Sequence, residues 1–293
     1  MPDTSREGLI PVSGGNVWYR IFGADKPGIP LLVLHGGPGI PHDYLLPVSK
    51  LADERPVIFY DQLGCGNSDK TEDLSLLTVE RFIDELATVR ESLGLDPVHI
   101  LGQSWGSMLA VRYLLTKNPD GIRSLILSGP CLSASRWKAD QRKYVSELDE
   151  KTRETILHHE ANGTFSDPEN QEAMMEFYNL HICRMDPWPE CLMRSMERFA
   201  LPVYQYMWGP SEFTITGTLK GFECSERLHK IQVPVLFTCG RYDEATPETT
   251  AYYQTKLPGS QLRVFENASH SHHLEQEQEY LATVRKFLKE NDG

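Results

Sequence analysis

The stretch Gly102-Gln103-Ser104-Trp105-Gly106-Ser107 sets a serine between two glycines, each two residues away. That spacing suits a nucleophile on a sharp strand-to-helix turn, where the flanking backbones approach too closely for side chains. With glycine at roughly 7% of residues, the bare pattern arises by accident about one time in ten in a chain this long, so its surroundings decide the reading. A serine hydroxyl is a poor nucleophile without a base and a group to orient that base. The candidate base is His270, in Glu266-Asn267-Ala268-Ser269-His270, with His272 and His273 as rivals that read as a polar loop pair. The candidate orienter is Asp243, with its neighbour Glu244 as the alternative. Ser, then Asp or Glu, then His is a known chain order for such a set. Acyl transfer also needs donors for a developing oxyanion. His35-Gly36-Gly37-Pro38-Gly39 offers bare N–H groups at Gly36 and Gly37, and the N–H of Trp105 is the second donor. His35 reads as a histidine tying loops together, and Asp61 as a brace for its own loop.

These residues need elements to bring them together. Residues 16–23 alternate and carry aromatic and β-branched side chains, the mark of a strand. Apolar runs at 31–34 and 57–60, one at 98–101 interrupted by His99, and others within 122–128 and 233–240 read as buried strands, with a further strand near 260–265. Helical spacing fills 78–93, which Thr78 is placed to cap, then 107–117 and 276–291. Strands alternating with helices imply a mostly parallel α/β sheet covered on both faces. Ser104, Asp243 and His270 then all lie just beyond strand carboxyl ends, where such sheets place their ligands. The rhythm breaks after Pro130. Residues 131–221 are charged, aromatic and helical, too long for a structureless loop. The expected organisation is therefore a core over 1–130 and 222–293, with a helical subdomain inserted over 131–221.

Composition narrows the function. A formal net charge of −12 and a pI near 5.3 argue against nucleic acid or an anionic membrane as partner. The six cysteines form no CxxC pair, so neither a zinc ribbon nor a redox motif is indicated. No basic region followed by an apolar run opens the sequence, and no apolar stretch reaches membrane-spanning length. A cytoplasmic location with reduced thiols is the expectation. The chemistry above requires no metal and no organic cofactor.

With His35–Gly39, Tyr60–Asp69, Gly102–Ser107, Gly209–Gly217, Gly240–Pro247 and Ala268–His270 in view, the chain resembles the proline iminopeptidase family of α/β hydrolases along nearly its whole length. Gly209-Pro210-Ser211-Glu212-Phe213-Thr214-Ile215-Thr216-Gly217 is the most specific of these marks. Gln103 departs from the pattern, since many members carry glycine there, and the departure bears on packing more than on chemistry. The resemblance implies an α/β-hydrolase fold with a helical cap. It selects Asp243 as orienter and gives Glu244, with Glu212, the role of holding a substrate's free α-amine. It also sets Tyr204 near the substrate, in a stretch, 203–213, expected to wall the acyl pocket. The implied substrate is a small molecule or short peptide with an unblocked amine. An amidase or esterase acting on amino acid derivatives would use the same residues. A biosynthetic hydrolase or cyclase on this scaffold is a further alternative, and a non-catalytic binding module with a vestigial triad is the rival from another class. Relatives of the fold that carry aspartate at the nucleophile position are disfavoured by Ser104.

Overall fold

Strands of a parallel sheet covered on both faces read as near-continuous apolar runs, and the apolar runs of this chain lie in such strands. The computed structural model describes residues 5–293. Its eight-stranded sheet contains β1 (Arg6–Val12), β2 (Gly15–Phe22), β3 (Leu31–Leu34), β4 (Val57–Tyr60), β5 (Val98–Gln103), β6 (Ile122–Ser128), β7 (Val235–Gly240) and β8 (Gln261–Phe265). The spatial order is β1-β2-β4-β3-β5-β6-β7-β8. β2 runs antiparallel to both neighbours, and all pairs from β4 to β8 are parallel. Every residue of β3, β4, β5 and β7 is buried. β1 was not expected from sequence. It is an edge strand with Pro11 inside it, and its largely exposed side chains blunt the alternation.

Helices α1 (Val79–Ser92) and α2 (Trp105–Lys117) belong to the first half of the sheet. Thr78 caps α1 alone, its hydroxyl accepting from the Arg81 N–H at 3.2 Å. α2 stops at Asn118, a left-handed residue just before Pro119. Between β6 and β7 come α3 (Ala134–Glu147), α4 (Glu150–Asn162), α5 (Pro168–His181), α6 (Glu190–Glu197) and α7 (Leu201–Met207). The first three, with Phe213 from beyond α7, close a small apolar cluster around Ile156, Met174 and Phe177. The chain ends with α8 (Pro247–Lys256), the short α9 (His272–Glu275) and α10 (Glu277–Glu290). Two larger clusters lie against the sheet: one joins it to α1 and α2, the other to α10 and a 3₁₀ segment at His42–Asp53. Among the described residues no helix is long and apolar enough to cross a membrane.

Candidate active site

The turn after β5 is as tight as the glycine spacing requires. Ser104 has φ 52° and ψ −120°, a conformation that costs a non-glycine residue about 1–3 kcal/mol and marks functional sites when the surroundings enforce it. A Cβ on Gly102 would lie 2.3 Å from the Gly106 carbonyl oxygen, and one on Gly106 would lie 2.2 Å from that of Leu34. Neither position admits a side chain. The Ser104 N–H donates to the Ser128 carbonyl on β6 at 2.9 Å, and the Ser107 hydroxyl donates to the Ser104 carbonyl at 2.5 Å. The turn is thus tied to the sheet and to the first turn of α2.

Asp243 lies three residues past β7 and is fully buried. Its Oδ1 sits 2.7 Å from His270 Nδ1 and accepts from the Ala245 N–H at 2.7 Å. Burial would push this carboxyl up, but the His270 charge and hydrogen bonds from His270 and His272 outweigh it and hold Asp243 well below the usual carboxylate range. With Nδ1 engaged, Nε2 of His270 is the ring nitrogen left to face the cavity. That cavity, about 50 Å³, is lined by Gly37, Tyr44, Ser104, Glu212, Glu244 and His270 with a few apolar neighbours. Nε2 stands 3.5 Å from Glu244 Oε1. Among the described residues no hydrogen bond joins the ring to the Ser104 hydroxyl, a contact often long until substrate is bound.

Three supports of His270 escaped the sequence reading. Its N–H donates to the His181 carbonyl at 3.0 Å, and the next N–H, of Ser271, donates to the Ile182 carbonyl at 2.8 Å, so the end of α5 clamps the histidine loop. Trp137 of α3 meets the ring edge-on at 6.1 Å. A Cβ on Gly129, at φ 54°, would come within 2.7 Å of the imidazole. A glycine directly after β6 was the available signal for that last requirement.

The rival histidines are not a polar loop pair. Both are buried and open α9, because the chain turns inward after Ala268 and packs His272 on Phe265 and both rings against Tyr280. His272 Nε2 is bonded to the hydroxyls of Ser128 and Thr238 at 2.9 and 3.0 Å, and its Nδ1 lies 3.5 Å from Asp243. His273 Nε2 bonds the Tyr44 carbonyl at 3.1 Å. His35 ties loops as expected, its Nε2 accepting from the Gln62 N–H at 2.9 Å. Asp61 accepts from the N–H groups of His42 and Asn67 at 3.0 and 2.8 Å and so braces its loop. The ligating atoms of His35, Asp61 and Cys65 lie within 4.8 Å of one another. These protein donors already occupy the histidine nitrogen and both carboxylate oxygens.

Of the two glycines expected to present bare N–H groups, Gly36 does not. Its N–H donates to the Tyr44 hydroxyl at 2.8 Å, which donates in turn to Gln103 Oε1 at 2.5 Å. Gln103 therefore stiffens the glycine loop through Tyr44, a packing role. Gly37 lines the cavity at φ 105°. Trp105 opens α2, so its N–H has no preceding turn to bond into. Its indole is buried and donates to Gln62 at 2.8 Å.

Glu212 and Glu244 line the same cavity. Glu212 accepts from the Tyr204 hydroxyl at 2.5 Å, and the Trp137 indole donates to its carbonyl at 3.1 Å. Glu244 is 2% exposed, and its Oε2 has no hydrogen-bond partner among the described residues. No lysine or arginine is paired with either acid among the described residues. Burial raises both carboxyls, Glu244 well above the ordinary range because the charges of Glu212 and Asp243 add to it. A carboxyl raised by folding stabilises the fold while protonated and loses that contribution as pH rises through its folded value. Glu244→Gln is therefore expected to raise the melting temperature, with a gain that grows from pH 5 to pH 8, at roughly 1–2 °C per kcal/mol for a chain of this length. Scanning calorimetry across that range checks it, and a gain that shrinks with pH would contradict the unpaired buried charge.

The chain as a whole is similar to known proteins. Residues 29–277 match the family model described as alpha/beta hydrolase fold. The chain is 47% identical to a proline iminopeptidase of Heyndrickxia coagulans, over 96% of this chain and 98% of that one. Among solved structures, VinJ superposes with a TM-score of 0.93 at 35% identity, covering 99% of this chain and all of that one. A proline iminopeptidase of Mycobacterium smegmatis gives 0.90 at 35% identity, covering 98% and 99%.

Proposed function

Because the chain belongs to the proline iminopeptidase family of α/β hydrolases, we propose that it releases an unblocked N-terminal aminoacyl group, proline or another small apolar residue, through an acyl-enzyme. Ser104 Oγ attacks the carbonyl. His270 Nε2 takes the hydroxyl proton and returns it to the leaving amine. Asp243 holds the Nδ1–H tautomer and stabilises the imidazolium. The N–H groups of Gly37 and Trp105 receive the oxyanion. Water then repeats the sequence on the ester, with His270 as base. The substrate ammonium sits between Glu212 and Glu244, and Tyr204 sets the orientation of Glu212.

The observation that carries this reading is the pair of acids withdrawn from water, with no lysine or arginine partner among the described residues, in the cavity shared by Ser104 and His270. Such a pair is costly unless a positive ligand completes it. A charge-assisted hydrogen bond contributes roughly 1.5–3 kcal/mol. Prolyl anilide is accordingly expected to exceed N-acetylprolyl anilide by a hundredfold or more in kcat/KM. Steady-state kinetics on free and blocked pairs tests it, and equal rates would remove the ammonium site from the reading. Prolinamide and prolyl dipeptides in the same panel separate amidase from peptidase activity.

A further inference from the structure

The cavity around Ser104 does not end at the two acids. A second, larger chamber of about 510 Å³ lies beneath the inserted helices and shares Ile40, Ile182, Met196 and Glu212 with the first. Its remaining wall is mostly apolar, with Met174, Trp188, Phe199 and Leu201 prominent. The volume is that of a site for a drug-sized ligand, about 300–1,000 Å³, and ten times the space around the nucleophile. A prolyl group leaves it unused. The chamber also reaches the surface: Leu201, at the start of α7, is 47% exposed, although it lines the wall.

We infer that this chamber binds an extended apolar group on the leaving amine, so that the preferred substrates are aminoacyl amides with a long hydrocarbon or large apolar side chain beyond the scissile bond. The inference rests on the aminoacyl-hydrolase reading above. The direction follows from the walls. On the aminoacyl side, Glu244 and His270 are enclosed by Trp137, which stacks edge-on against Trp208 at 5.8 Å, and by Gln141, which donates to the Glu244 carbonyl at 2.8 Å. On the other side three of the four shared residues, Ile40, Ile182 and Met196, are apolar and lead into the chamber, and the fourth, Glu212, lines both spaces. An amine held between Glu212 and Glu244 then leaves the opposite substituent of the carbonyl, the leaving group, to follow that apolar path.

The test uses prolyl ethyl-, butyl-, hexyl- and octylamides, whose leaving amines are of nearly equal basicity, so that differences in rate report binding. Each buried methylene is expected to raise kcat/KM about three- to fourfold, giving several hundredfold or more from ethyl to octyl. Leu201→Trp, which narrows the mouth without touching the cavity around Ser104, is expected to flatten that rise and leave the ethylamide unchanged. Three outcomes overturn the inference. One is a kcat/KM flat with chain length while the ethylamide is still cleaved, which leaves the aminoacyl-hydrolase reading standing. Another is a gain with chain length on the acyl side, as in 2-aminooctanoyl ethylamide, without a gain on the amine side. The third is cleavage of no prolyl amide or anilide at all, which ends both readings together.

Discussion

Ser104→Ala is expected to lower turnover by roughly 10⁴–10⁶-fold, the loss seen when a nucleophile is removed from a serine hydrolase that keeps its oxyanion donors. The fold should survive. Alanine keeps the Cβ, so the strain at φ 52° is unchanged, and among the described residues the serine hydroxyl forms no hydrogen bond whose loss would leave a buried partner stranded. Ser104→Gly separates strain from chemistry. It should be equally inactive but more stable than the alanine variant, because glycine adopts that conformation without steric cost. Turnover of prolyl anilide, labelling by a covalent serine probe and thermal melts of the three proteins check these outcomes together. Near-normal turnover in either variant, or a wild type that the probe leaves unlabelled at Ser104, would refute the assignment.

The reach of sequence reasoning here follows the range of the forces involved. The turn at Ser104 was legible because its demands are local: two glycines, a buried strand before and a helix after. Thr78 as a cap was legible for the same reason. The convergence of Ser104, Asp243 and His270 could be argued only through topology, since strands that end at one edge of a parallel sheet bring distant residues together. What stayed hidden is set by packing between elements. Gly129 is required by a ring 141 residues away. His272 and His273 look like solvated loop residues until the chain is seen to fold them beneath the sheet edge. Gly36 looks free until Tyr44, eight residues on, takes its N–H. Glu212 is an ordinary acid in composition, and only the resemblance of its surroundings to a family drew attention to it.

Glu212 and Glu244 carry the second large effect. Replacing both by glutamine keeps shape and volume but removes the two negative charges facing the proposed ammonium. At roughly 1.5–3 kcal/mol for each charge-assisted bond, the double variant is expected to lose about 10²–10⁴-fold in kcat/KM for prolyl anilide. A simple ester without an amine, such as p-nitrophenyl butyrate, should lose little, because Ser104, His270 and the oxyanion donors are untouched. The two single variants need not behave alike. Glu212 is fixed by the Tyr204 hydroxyl at 2.5 Å, so Glu212→Gln replaces a charged acceptor with a neutral one already held in place. Among the described residues Glu244 has an unpartnered oxygen, and it lies 3.5 Å from His270 Nε2, so Glu244→Gln also changes the field at the base and should shift kcat modestly on amine and ester alike, the larger loss staying with the amine. The pH dependence supplies an internal control. Both carboxyls are raised, so the wild type in acid already holds a proton on the pair, and the gap between wild type and double variant should narrow as pH falls. Equal losses on amine and ester substrates, or a gap that widens in acid, would show that the two acids support the fold of the site and do not grip the amine.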